Sequence, residues 1–140
     1  MTCKRVTDRF AVAPQLSPEA LPALVQDGFS VLVCNRPDGE EAGQPDAAAM
    51  HAAATEAGME FHHIPISGGA FPDEAIAAFG ALRRTAPGKV LAYCRSGTRS
   101  ITLDALANPE GLDPVTLIAT AKAAGYDLSA LAPRLNARNG

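Results

Sequence analysis

The chain has 140 residues, 47% of them hydrophobic, a formal net charge of −3 and three cysteines. That size and composition fit a single ordered domain over residues 1–140 and exclude a disordered chain. The mild acidity is the wrong charge for nucleic acid, which demands clustered Lys and Arg, and no apolar run approaches the ~20 residues of a membrane helix.

In chain order, residues 5–13 (RVTDRFAVA) read as a hairpin or edge strand around a Thr7-Asp8 turn. SPEALPALVQDG follows, with Ser17 as N-cap, Pro18 at the first helical position and Gly28 as the stop. FSVLVC (29–34) reads as a buried parallel strand. NRPDGEEAGQP (35–45) is a loop, and the Ala-rich stretch after it is a helix ending at Gly58. EFHHIPI (60–66) is the next strand and SGGAF a connector. Pro72 and Asp73 open a helix whose Arg83 and Arg84 suit its negative end. KVLAY (89–93) is a strand, and SITLDALA opens a further helix. Asp113-Pro114 caps a helix over about 114–124, and a last helical stretch covers about 128–138. This alternation predicts an α/β fold of three α/β/α layers around a mainly parallel sheet. Ligands in such folds sit at the carboxyl ends of strands, so the loops NRPDGEE, SGGAFPD and CRSGTRS are expected to converge.

CRSGTRS (94–100) carries the chemistry. A strand delivers Cys94 to a helix N-terminus, where free N–H groups and the dipole favour an anion. Arg95 and Arg99 add positive charge, and both effects favour the thiolate. Gly97 lets the loop turn tightly and aim amides inward, so residues Arg95, Ser96, Gly97, Thr98 and Arg99 are the expected anion cradle. A nucleophile facing convergent donors suits attack on an anionic substrate.

Four residues separate Cys94 from Arg99, a loop that resembles that of rhodanese-type sulfurtransferases. Cysteine-dependent phosphatases are similar but place five residues there, and their arginine position holds Ser100 in this chain. A shorter ring loses one amide and is expected to suit a terminal sulfane sulfur better than a phosphoryl group.

More of the chain carries a second resemblance. NRPDGEEAGQP, the Ala-rich helix, FHHIPISGG and YCRSGTRS together resemble the phosphatase-like domain of the bacterial β-lactamase hydrolase-like proteins, over roughly residues 3–107. That family is also described as sulfur transferases. It occurs alone or fused to a metallo-β-lactamase-type persulfide dioxygenase, and 140 residues fit the stand-alone form. The resemblance implies a dual-specificity-phosphatase-like fold with a four-stranded parallel core sheet, to which the N-terminal edge strand or hairpin adds. Two departures count against phosphatase chemistry. Tyr93 stands where such phosphatases have His, and Ser67-Gly68-Gly69 stands where they supply an Asp acid. Asp73 is the nearby carboxylate, a candidate general acid that serves equally as an N-cap beside Pro72.

Other residues are weighed on the same terms. Arg36 is a candidate for binding substrate, or part of a turn held by Asn and Asp side chains. Ser100 is expected to bond the thiolate or to cap its helix. His62 and His63 point to opposite faces of a strand, and His51 is isolated, so no metal or organic cofactor is expected. Cys34 reads as a buried small hydrophobe, with a resolving thiol as the alternative.

The leading expectation is a cytoplasmic enzyme, a thiol-dependent sulfurtransferase, since MTCKRVTDRF lacks the apolar region of a signal peptide. Cys94 attacks thiosulfate or a persulfide, becomes a persulfide, and passes its sulfur to a thiol acceptor. A persulfide dioxygenase is a possible protein partner; no nucleic acid or membrane partner is expected. The alternative is a cysteine phosphatase acting on a phosphate ester through phosphocysteine. A second alternative is a non-catalytic module that binds an anion or persulfide.

Overall fold

A computed structural model describes residues 3–139. Strands β1 (Lys4–Thr7) and β2 (Phe10–Ala13) form a hairpin, followed by helix α1 (Leu21–Gln26) and strand β3 (Phe29–Cys34). Helix α2 (Ala47–Ala57), β4 (Glu60–His63), α3 (Asp73–Thr85) and β5 (Lys89–Tyr93) come next. Helices α4 (Thr98–Ala107), α5 (Pro114–Ala123) and α6 (Ala132–Asn139) complete the chain.

The sheet order is β1-β2-β5-β3-β4. Strands β2, β5, β3 and β4 run parallel, and β1 pairs antiparallel to β2 at the edge. The parallel core thus has four strands, and the hairpin supplies one of them as well as the edge. Strand alternation splits the core into two halves. Phe10, Val12, Val31, Val33, Val90 and Ala92 pack under α3–α6. Leu32, Cys34, Leu91 and Tyr93 pack with Leu21, Leu24 and Met50 of α1 and α2.

Two proline positions explain where helices start. Ser17 makes no side-chain cap; the chain forms a single 3-10 turn over Pro18–Ala20 before α1. An α-helix beginning at Pro18 needs the N–H of residue 22, and Pro22 has none. The stretch expected over 128–138 divides for the same reason: a 3-10 turn at Ser129–Leu131 precedes α6, and Pro133 cannot donate to residue 129. Asp46 and Asp113 do cap their helices, accepting 2.8 Å bonds from the N–H groups of Ala49 and Thr116. Strand β4 stops at His63 rather than Ile66, because its partner β3 ends at Cys34. The chain still follows that edge, with Ile64 and Ile66 N–H donating to the carbonyls of Cys34 and Asn35.

Arg83 lies in the last turn of α3, as expected, but is buried there. It is 4% exposed. Its Nε donates to Asp104 on α4 at 2.8 Å, its Nη2 donates to Glu110, and its guanidinium lies over the Phe10 ring. No helix among the described residues is long and apolar enough to cross a membrane.

Candidate active site

Cys94 follows directly on β5 and is 1% exposed. Its backbone N–H donates to Ala13 O, which fixes it beside β2. Helix α4 begins at Thr98, two residues earlier than expected, so Arg99 belongs to the first helical turn. Gly97 is the N-cap, at φ 98°, and its N–H donates to Cys94 Sγ at 3.1 Å. Only glycine fits there, for two reasons. The φ is left-handed, and a Cβ would stand 2.2 Å from Tyr126 Oη.

The Tyr126 hydroxyl donates to Ser96 O at 2.8 Å. Burial, and then the nearby Cys94, push its pKa up. This contact spans 30 residues of sequence, and no motif in the cysteine loop signals it.

Arg99 is held from two sides. Its Nη1 donates to Glu40 Oε2 and to Ile66 O, and its Nη2 donates to Glu40 Oε1, all at 2.8 Å. A guanidinium has five N–H donors, of which these bonds commit three. The Nε–H and the second Nη2–H remain, parallel and without an oxygen acceptor among the described residues, while Arg99 also makes a side-chain hydrogen bond with Cys94. That edge has the fork geometry to take two oxygens of one oxyanion. Glu40 raises the Arg99 pKa most, and the Cys94 thiol is among the other groups that raise it.

Glu40 joins two arginines. It also accepts from Arg36 Nε at 3.0 Å. Arg99 first, then Arg36, hold the Glu40 carboxyl down to about 2. The sequence placed Glu40 in a loop beside the site without giving it a role; the loop's proximity was the available signal.

Three candidates stand differently from expectation. Arg36 is 1% exposed and its donors go to Glu40, Glu41 and Gln15, so it supports the loop rather than meeting a substrate. Ser100 neither bonds the thiol nor caps the helix. Its single O–H donates to Asn35 Oδ1 at 2.8 Å. Asn35, fully buried, also donates from Nδ2 to Ile64 O and from its backbone N–H to Tyr93 O. It thereby ties the ends of β3, β4 and β5 to α4. Asp73 is the first residue of α3, with Pro72 as N-cap. Its side chain is 97% exposed and faces Arg138 of α6 at 3.9 Å, so the structure does not bring it to Cys94.

Arg95, Ser96 and Thr98 line the exposed side of the loop. Ser96 and Thr98 hydroxyls bond each other at 3.1 Å, and Arg95 O accepts from Gln15 N–H. Of the cradle's amides, the one bonded to Sγ is that of Gly97.

Cys34 is buried and its thiol donates to Arg36 O at 3.4 Å. Burial raises its pKa, which keeps it a thiol and suits the hydrophobe reading over the resolving one. Tyr93 Oη is buried beside it without a hydrogen bond of ordinary geometry. His63 bonds Arg36 O and His62 bonds Glu60, each on its own side of β4.

The family model for the phosphatase-like domain of the beta-lactamase hydrolase-like proteins matches residues 2–111. A beta-lactamase hydrolase-like protein of Agrobacterium fabrum is 39% identical over 113 residues, which are 81% of this chain and 26% of that relative. The chain thus spans about a quarter of the length of the curated relatives it matches. A crystal structure from Neisseria meningitidis Z2491, provisionally described as a phosphatase, superposes with a TM-score of 0.85 at 33% identity, covering 99% of both chains. The catalytic core of the Saccharomyces cerevisiae PP-IP phosphatase shares the fold, with a TM-score of 0.66 at 14% identity over 94% of this chain and 81% of that one. The architecture is that of dual-specificity-type phosphatases. These likenesses favour the phosphatase alternative over the sulfurtransferase reading that loop length had put first. By the extent of the family match and the identity to its relatives, the chain belongs to the phosphatase-like domain family of the beta-lactamase hydrolase-like proteins.

Proposed function

We propose that this domain is a cysteine-dependent phosphoric monoester hydrolase. The observation that carries the reading is the Nε/Nη2 edge of Arg99, not taken by Glu40 or Ile66, beside the Cys94 thiol, which bonds Arg99 and accepts the Gly97 N–H. Cys94 thiolate attacks phosphorus, the S–P bond forms, and the ester P–O bond breaks with the electron pair leaving on the alcohol oxygen. Arg99 holds two phosphoryl oxygens, and the loop amides face the charge that develops in the transition state. Water then attacks the phosphocysteine, releases inorganic phosphate and restores the thiolate. Asp73 faces Arg138 and Glu40 is held ionised by Arg99 and Arg36, so neither protonates the leaving group, and esters of acidic alcohols, such as aryl phosphates, are the expected substrates.

A second reading keeps sulfur transfer, on one specific observation. The ring from Cys94 to Arg99 is one residue shorter than in the phosphatases, and transfer of a sulfane sulfur needs no general acid. One paired assay tests both. Wild type and Cys94→Ser are compared for aryl phosphate hydrolysis and for thiosulfate:cyanide sulfur transfer. Hydrolysis that vanishes in Cys94→Ser supports the phosphatase. Sulfur transfer without hydrolysis, with one added sulfur on Cys94 by mass spectrometry, replaces it.

A further inference from the structure

The Ser96–Gly97 peptide unit has a hydrogen bond at each end. On one side the Tyr126 hydroxyl donates to Ser96 O at 2.8 Å. On the other the Gly97 N–H donates to Cys94 Sγ at 3.1 Å. Carbonyl and N–H belong to one planar trans amide and point in opposite directions, so fixing one fixes the other. The two bonds therefore form a chain: phenol O–H to carbonyl, amide N–H to sulfur. An amide whose carbonyl accepts a hydrogen bond is a stronger donor through its N–H, because the two bonds polarise each other.

The phenol is also held in place. Its oxygen occupies the space that a Cβ on Gly97 would take. Gly97 itself, in a left-handed conformation, has no side chain to restrain this peptide. A glycine beside the nucleophile leaves the amide free to rotate unless something outside the loop anchors it. Tyr126 is that anchor, and it comes from the segment between α5 and α6, beyond the residues 2–111 matched by the family model.

We infer that Tyr126 is a positioning residue for the nucleophile: its hydroxyl orients and polarises the Ser96–Gly97 peptide so that the Gly97 N–H stabilises the Cys94 thiolate. The inference rests on Cys94 being the nucleophile. It is independent of whether phosphorus or sulfur is attacked. Its consequence is that the C-terminal helices are part of the active site, and a domain cut at residue 111 lacks the anchor.

The test reads thiol reactivity rather than turnover, so it stands apart from the phosphatase reading. Tyr126→Phe keeps the ring against Gly97 and removes the donor. The initial rate of iodoacetamide alkylation at Cys94, followed by mass spectrometry, is expected to fall about fivefold at pH 7, the equivalent of one ordinary hydrogen bond. At alkaline pH the two rates are expected to converge. The melting temperature should stay within about two degrees of wild type, as for a change away from the core. A second variant replaces Tyr126 with 3-fluorotyrosine, a stronger donor of nearly the same shape. It is expected to raise the alkylation rate at pH 6.5. A merely structural tyrosine would leave the fluorinated protein unchanged. Equal alkylation rates for wild type and both variants would overturn the proposal, as would a Tyr126→Phe deficit that persists unchanged at alkaline pH.

Discussion

The Arg99 guanidinium and the Glu40 carboxylate face each other through two bonds of 2.8 Å, end to end. The cation that the sequence offers to a substrate is thus already gripped by a carboxylate of the chain. The grip takes one edge of the guanidinium and leaves the other. Glu40 fixes the plane of the fork, and under the proposed function the other edge would receive the oxyanion.

Replacing the fork by a point charge should therefore cost most of the activity. Arg99→Lys keeps the charge but loses the bidentate geometry. Aryl phosphate hydrolysis is expected to fall about 100- to 1000-fold in kcat/KM, as when a transition-state donor is removed. A loss below tenfold would mean that charge alone, without the fork, binds the substrate.

Glu40 also makes stability depend on acid. Its folded pKa lies near 2, below the ordinary 4.5, because Arg99 and Arg36 stabilise the charged form. A group depressed in this way contributes fully above its unfolded pKa, and the contribution is lost as pH falls from about 4.5 toward 2. Urea unfolding between pH 7 and pH 2.5 should show this decline. Glu40→Gln should flatten it, and an equal slope in both proteins would contradict the role assigned to the carboxylate.

Gly97→Ala meets both a positive φ and the Tyr126 oxygen. Backbone strain of this kind costs about 1–3 kcal/mol, and the loop must shift to admit the methyl group. The expected outcome is a folded protein, destabilised by that amount in chemical denaturation, with hydrolysis reduced at least tenfold because the Gly97 amide leaves the sulfur.

Asp73→Asn is a test in the opposite direction. The side chain is 97% exposed and faces Arg138. Exposed pairs contribute little, so kcat for an aryl phosphate should change less than about twofold, with stability nearly unaltered. A tenfold fall in kcat for poor leaving groups would restore Asp73 as the acid.

Asp104, on α4 beyond the cysteine loop, carries structural weight. It is buried against Arg83, and burial pushes its pKa up to about 6 even beside that cation. Asp104→Ala leaves the Arg83 charge buried with Glu110 as its remaining carboxylate. A loss of about 3–5 kcal/mol is expected in urea unfolding, the cost of breaking a buried pair from one side.

The sequence by itself determined most of the elements and the candidate nucleophile. β-branched runs, capping aspartates and glycine stops are local signals, so the α/β alternation was legible without contacts. Cys94 and Gly97 were legible because strand, thiol, glycine and helix are consecutive in the chain. The two proline-broken helix starts were missed, although their cause is local: one absent N–H four residues on. What only the tertiary structure decided is who pairs with whom. Loop 35–45 delivers Glu40 to Arg99, buries Arg36 as its support, and lets Asn35 claim the hydroxyl of Ser100. Tyr126 reaches Ser96 across 30 residues. Apart from Arg36 and Glu40, four residues apart, these partners are distant in sequence, and a side chain's charge or donor says what it can bond but not what the fold will set before it. The loop length alone favoured sulfur. The phosphatase-like family match and the structural relatives favour phosphorus, which one residue of spacing in the loop could not indicate.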